Sequence, residues 1–337
     1  MRTICFALAA AFAAATGFAA SAQADPVKIR TSYVVPVANW AAYLATKPEL
    51  MTHQGKSYVT EATRFQGTPP MITAMAAGDL EIGDLAFSSL ALAIQNAGLT
   101  DLRIISDDFQ DGVPGWYTDQ YFVRNDSGIK TVADLKGKVI GTNAAGSAID
   151  IAMRAMLRKN KLDDKKDVTF VEAAFPNMKA MLSEKKIDLY PGVLPFSLDP
   201  ELNGMAHVLF TQKQALGQTQ MIVWVARESW IKKNRAALVD FMEDALRVFQ
   251  WYLDPKNHAE AVKLASDMSK VPAERLDPWL FVKGKDYYRN PDGLPNLAAL
   301  QANIKTQKDL GLIKDDILVS KYADLSVVRE AAARLKK

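Results

Sequence analysis

Two periods of apolar and polar residues alternate along the chain. Val27-Lys28-Ile29-Arg30-Thr31-Ser32-Tyr33 changes character residue by residue and predicts a strand. Residues 39–44 follow with helical spacing, and residues 58–65 predict a second strand. Thr68 before Pro69 predicts a helix start, with the hydroxyl as N-cap and proline in the first turn, and that helix stops near Gly78. Residues 81–85 predict a short strand. Ser88 or Ser89 is expected to cap a helix ending at Gly98, and residues 102–106 return to strand.

The pattern then repeats. Strands are expected at 121–124, 138–141, 168–171, 187–190 and 221–226. Between them lie a capped turn at 131–135, a helix capped by Ser147, and a helix at 177–184. After Asn234, Leu238, Phe241, Met242, Ala245, Val248, Phe249 and Tyr252 fall on one helical face, and the pattern stays helical nearly to the end. Strands alternating with helices predict an α/β protein with largely parallel sheets. No Gly-, Ser- or Pro-rich linker separates two independent units.

The first residues read as an address. Met1-Arg2-Thr3 carries one positive charge, residues 4–18 are apolar or small, and Ala22-Gln23-Ala24 has the A-x-A form of a signal-peptidase site. The expectation is a leader over residues 1–24, cut after Ala24, and a mature chain of about 310 residues in the periplasm, enough for two lobes. The run is short for a membrane span and no stop-transfer pattern follows it.

Composition narrows the chemistry. The whole chain carries 41 Lys and Arg against 38 Asp and Glu, so no general field favours nucleic acid or membrane. The only cysteine is Cys5, inside the expected leader, which leaves the mature protein without a disulfide or a thiolate metal site. His53, His207 and His258 stand far apart and suit neither a zinc site nor a nucleophile triad. No G-x-S-x-G elbow, P-loop or paired His-Glu motif is present. The expectation is a binding protein, not an enzyme, with no cofactor and no metal.

Ala77-Gly78-Asp79-Leu80-Glu81-Ile82-Gly83 and Thr131-Val132-Ala133-Asp134-Leu135-Lys136-Gly137-Lys138-Val139-Ile140-Gly141 resemble two segments of the ABC-transporter substrate-binding proteins for sulfonates, nitrate and taurine. Gly146-Ser147, a helix, the strand at 168–171, and a return strand at 221–227 leading to Asn234 follow in the matching order. The resemblance covers nearly all of the mature chain. It departs at Arg235, where the family often carries proline. It implies a type II periplasmic binding fold, with residues 25–118 and 221–337 in one lobe and 119–220 in the other. Two crossings between them would form a hinge. The implied partners are a small organic anion and the permease and ATPase of an importer, with the protein acting as a monomer.

In open α/β sheets, ligands lie beyond the carboxyl ends of the strands, where helix N-termini offer unpaired N–H groups to an anion. The corners of this kind include Asn39 and Trp40 after the first strand, Gln66 after the second, and Phe87, Ser88 and Ser89 after the third. Asn143, Gly146 and Ser147 sit at a fourth corner, and Tyr190 and Gly192 at a fifth. For each serine the alternative is simple N-capping, and for Gly146 an ordinary turn. Tyr33, Trp40, Phe87, Trp116, Tyr117 and Tyr190 fall at strand ends or before the crossing, and together favour an aryl or bulky ligand over nitrate; core packing is the alternative for each. Arg64 is a candidate counter-charge. Two other functions share fold and address: a ligand sensor, and an enzyme like the pyrimidine-synthesising relatives. The latter use a cysteine-rich stretch with histidine, which the mature chain lacks.

Overall fold

The structure, a computed structural model, describes residues 25–337. The expected leader, residues 1–24, lies outside the described residues. The strands are β1 (Val27–Tyr33), β2 (Tyr58–Arg64), β3 (Ile82–Ala86), β4 (Leu102–Asp111), β5 (Gln120–Arg124), β6 (Lys138–Thr142), β7 (Val168–Glu172), β8 (Leu189–Gly192), β9 (Ala206–Thr211) and β10 (Thr219–Arg227). The helices are α1 (Pro69–Ala77), α2 (Phe87–Gln95), α3 (Ala148–Lys159), α4 (Phe175–Ser183), α5 (Gln212–Leu216), α6 (Glu228–Leu253), α7 (His258–Ser269), α8 (Ala273–Leu276), α9 (Leu297–Asp309) and α10 (Ser326–Leu335).

The strands sort into two bodies. β1 pairs parallel with β2, and β10 lies antiparallel between β3 and β4. These two small sheets abut: the Asp84 amide donates to Ser32 Oγ at 3.0 Å, and the Glu81 amide to the Arg30 carbonyl at 3.2 Å. The second body is a five-stranded sheet in the order β7-β6-β8-β5-β9, with β6 parallel to β7 and β8 and β5 antiparallel to its neighbours. Both antiparallel entrants, β5 and β10, follow directly on a crossing between the bodies; the remaining βαβ units run parallel, as the alternation predicts.

The two crossings are stitched together. Asp111 accepts from Thr118 Oγ1 and from the Asp119 amide, each at 2.7 Å. The Gln212 amide of the return crossing donates to the Asp119 carbonyl at 2.8 Å.

The C-terminal part closes over the first body. The seven apolar side chains expected on one face after Asn234 are all buried on α6. At about 1.5–3 kcal/mol for each fully buried large side chain, this face anchors the helix. The helix begins earlier than the spacing suggests, at Glu228, because Asn234 is accommodated as a single non-helical residue (φ −120°, ψ 23°) whose side chain donates to the Trp230 carbonyl at 3.1 Å.

Three local expectations change. The strand expected at 102–106 runs on through residues 107–111, Asp-Asp-Phe-Gln-Asp, in full burial. The 286–293 segment satisfies them: the Asp107 amide donates to the Gly293 carbonyl at 2.8 Å, and the Gln110 amide to the Tyr288 carbonyl at 2.8 Å. Helix α2 starts at Phe87 with Ala86 as N-cap, so Ser88 and Ser89 lie inside the first turn and do not cap it. Thr68 is itself helical, and its hydroxyl bonds Ser89 Oγ at 2.6 Å and caps nothing. Ser147 does cap α3, its Oγ accepting from the Asp150 amide at 3.3 Å.

Candidate functional site

Between the two bodies lies a cavity of about 60 Å³, room for a few waters or one compact solute. Its walls come largely from the carboxyl ends of strands, where the α/β rule places ligands, joined by the amino end of β10. The first body contributes Val34, Val35, Ala38 and Asn39 after β1, Thr68 before α1, Ala86 ending β3, and Phe109, Met221 and Ile222 from β4 and β10. Asn143, Ser147, Ala148 and Ile149 come from the end of β6 and the tip of α3, Phe175 from α4, and Val193 and Leu194 from beyond β8. Asp119 enters from the crossing and Tyr287 from the C-terminal segment. No Lys, Arg or His is among the lining residues.

The tip of α3 is the donor-bearing wall. Ser147 Oγ donates to Asn143 Oδ1 at 2.8 Å, which fixes both side chains. Ala148 and Ile149 occupy the first turn, where N–H groups have no intrahelical partner and the helix dipole is positive. Asn39 is fully engaged: Oδ1 accepts from the Val34 and Val35 amides at 3.1 and 2.9 Å, and Nδ2 donates to Asp108 at 2.6 Å. It shapes the corner that the cavity uses.

Direct bonds join the bodies around this space. Gln66 Nε2 donates to the Asn143 carbonyl at 3.0 Å, and Asn143 Nδ2 reaches the Gln66 carbonyl at 3.4 Å. A Cβ on Gly67 would stand 2.9 Å from both Ala144 Cβ and Asn143 Nδ2, so this rim admits no side chain. Elsewhere the Leu194 amide donates to Tyr287 Oη at 3.0 Å, Tyr117 Oη to Ser197 Oγ at 2.5 Å, and Arg275 faces Asp199 at 3.5 Å.

Of the residues singled out in the sequence, Asn39, Asn143 and Ser147 line the cavity and Gln66 ties its rim. None of the six aromatics does. Trp40 is buried, stacked at 4.4 Å on Phe249 and at 5.7 Å on Phe281. Phe87 is core, and so is Ser88, whose carbonyl accepts from Gln307 at 3.3 Å. Ser89 is held by Thr68. Tyr33 lies in a groove beside Ala41 and Leu44, and Trp116 packs edge-on to Tyr288 at 5.4 Å. Tyr190 lines a separate depression of about 230 Å³ with Lys179, Asp199 and Arg275. Gly146, at φ 78°, lets the turn pass Leu92, and Gly192 lets Phe122 pack where a Cβ would stand 2.5 Å from it. Arg64 donates from its exposed side chain to the Val34 carbonyl at 3.2 Å.

Asp119, Tyr287, Phe109 and Phe175 are lining residues that the sequence did not single out. Tyr287 is distant in sequence and carries no motif. Asp119 was placed only as the start of a crossing.

The interior behind the cavity is rich in acid. Asp84, Asp107, Asp108, Asp111, Asp119 and Asp286 are all buried. Burial pushes Asp107 and Asp111 each up to about 7. Burial, then the charge of Asp108, holds Asp84 well above the ordinary carboxylate range; burial and Asp111 do the same to Asp119. The buried cation beside them is Arg289, which pairs with Asp286 at 2.8 Å and donates to the Ala38 carbonyl at 3.0 Å.

Two sheet-and-helix bodies, joined by two crossings and enclosing a small cavity at their strand ends, define a two-lobed α/β binding fold. The profile of the NMT1-like family matches residues 22–266, and the chain belongs to that family. It is 24 % identical over 171 residues to the putative binding protein YtlA of Bacillus subtilis, and spans 49 % of that protein's length. Among solved structures it resembles the alkanesulfonate-binding protein SsuA of Xanthomonas axonopodis pv. citri, bound to MOPS, with a TM-score of 0.70 at 20 % identity, over 89 % of this chain and 99 % of that one. The periplasmic nitrate-binding protein NrtA of Synechocystis PCC 6803 matches with a TM-score of 0.70 at 14 % identity, over 92 % and 89 %. The desulfurization enzyme DSZB shares the fold too, with a TM-score of 0.64 at 14 % identity, over 92 % and 99 %.

Proposed function

We propose that this chain is the solute-capturing component of an ABC-class importer. An exported protein cut after Ala24, it would hold a compact organic anion between its lobes and deliver it to a permease driven by an ATPase. The lobe boundaries would fall at the crossings near residues 118–119 and 220–221, and closure about them would trap the solute. The observation that carries this reading is the interlobe cavity with the tip of α3 on one wall. Asn143, Ser147 and the first-turn amides of Ala148 and Ile149 suit an acidic head, and the apolar side chains around them suit a short carbon skeleton.

The volume of about 60 Å³ and the absence of the six named rings from its walls favour a small aliphatic body over an aryl one. Binding without turnover is favoured over catalysis because the lining brings together no Cys or His to serve as nucleophile or base. The test is a thermal-shift screen of short sulfonates and carboxylates, followed by chromatography of the recovered ligand. A solute at 100 times its Kd stabilises by about 2.7 kcal/mol and is recovered unchanged. A library that gives no shift, or a ligand recovered as product, contradicts the reading.

A further inference from the structure

Asp119 is 1 % exposed and is the one acid in the cavity lining, which it shares with Phe109, Val193, Leu194, Met221 and Ile222. Its Oδ1 accepts from Tyr287 Oη at 2.5 Å, and that hydroxyl is oriented by the Leu194 amide, which donates to it at 3.0 Å. Its Oδ2 has no partner among the described residues. The titratable groups facing this carboxyl are Asp111 at the end of β4, Tyr117, Tyr121 of β5, and Tyr287. The cation of the neighbourhood, Lys213 of α5, is exposed and bears on Asp111. A carboxyl that is buried, without a counter-charge and beside a group of its own sign keeps its proton. Oδ1 already receives a hydrogen from Tyr287, so the proton belongs on Oδ2. An acid in that state adds an O–H donor to a lining that otherwise meets an anion with amides and the Ser147 hydroxyl.

Resting on the anion reading above, we infer that Asp119 binds the solute as a neutral acid: its Oδ2–H donates to an oxygen of the same anionic head that the α3 tip holds. No proton is transferred; the carboxyl keeps its hydrogen and the solute keeps its charge. A cavity of about 60 Å³ is small enough for one head to meet both walls. The solute supplies the partner that Oδ2 lacks, and the Tyr287 bond on the other oxygen fixes the direction of the new one. This is how an acid can line an anion cavity that holds no cationic side chain: ionised it would repel the head, and protonated it grips it. Asp119 thereby selects heads that present a free acceptor oxygen on its side, since a buried donor left without an acceptor penalises any other head.

Calorimetric titration of the full mature chain with ethanesulfonate and with propionate tests this at about pH 7, where both are ionised and any proton in the contact is the protein's. Asp119→Asn keeps an oxygen for Tyr287 and exchanges the acid O–H for a weaker amide donor; Asp119→Leu is similar in size and has no donor. The expected order of affinity is wild type, then Asp119→Asn a few-fold weaker, then Asp119→Leu at least about tenfold weaker than wild type. Tighter binding by Asp119→Asn than by wild type would mean that the native group is a carboxylate repelling the solute, and it overturns the inference while the anion reading stands. Undiminished binding by Asp119→Leu overturns it likewise. Infrared difference spectra of the wild-type chain, free against solute-bound, decide the matter should the variants not fold. A protonated-carboxyl C=O band is expected to move to lower frequency on binding; no such band, or one that does not move, overturns the inference. Failure of both solutes to bind overturns the anion reading and this inference with it.

Discussion

The two walls of the cavity are built from opposite chemistry. The wall from the second lobe is a helix tip, Asn143 to Ile149, made of amides and one hydroxyl and closed by a short local network. The wall from the first lobe and the crossing is backed by carboxylates: Asp107, Asp108 and Asp111 on β4, Asp84 on β3, Asp119 and Asp286. Asp107 is held by groups far away in sequence, Gln220 and the Asn290 amide, and Asp286 by Arg289 three residues on. The donor wall can therefore be altered one residue at a time at modest cost, whereas the acid wall is a coupled assembly in which removing one partner strands another.

That contrast sets the order of expected effects. The largest falls on Arg289→Met, which leaves Asp286 buried without its cation. A loss of about 3–5 kcal/mol is expected in chemical denaturation. A loss under about 1 kcal/mol would mean that the acid wall is not coupled through Arg289. Trp40→Ala should cost a similar amount, about 3–5 kcal/mol, because it empties a stacked aromatic core. If it instead weakened solute binding with stability unchanged, Trp40 would belong to the site and not to the core.

On the donor wall the effects are smaller. Ser147→Ala removes a cap worth about 1 kcal/mol and a candidate ligand donor, so binding should weaken several-fold in calorimetry with the fold retained. Unchanged affinity would move the head group away from the α3 tip. The last effect is a dependence on pH. The folded pKa of Asp107, about 7, stands above its ordinary 3.8, so the folded state holds this proton more tightly than the unfolded chain. Its contribution is complete below about pH 4 and is lost as the pH rises through about 7. Asp107→Asn should flatten the fall of melting temperature across that window; an unaltered pH profile would show that Asp107 ionises freely.

The same contrast explains what the sequence made legible. The donor wall is local. Gly146-Ser147 before an amphipathic run announces a capped helix, and α3 starts where that signal places it. Asn143 and Ser147, singled out in the sequence, line the interlobe cavity. The acid wall is not local. The strand expected at 102–106 continues to Asp111, because the returning 286–293 segment, distant in sequence, bonds its backbone. Tyr287, supplied by that segment, had no signal at all. The aromatics at strand ends stay out of the cavity for a related reason: Trp40 and Phe87 follow strands, but their corners turn the rings inward, toward α6 for Trp40 and the core for Phe87. β9 escaped notice because it is an edge strand in which Phe210 alone of six residues is buried, and so carries little apolar pattern. Pro191 suggested a strand end, yet β8 contains it, opposite Tyr121 of β5 and past the Ile140–Leu189 pair that joins β8 to β6.

A crystal structure with whichever short sulfonate or carboxylate raises the melting temperature most tests the central claim directly. The account predicts the solute between the lobes, its acidic head within hydrogen-bonding distance of Ser147 Oγ or the Ile149 amide. A solute seated outside this cavity, in the depression beside Lys179 and Arg275 for instance, would contradict it.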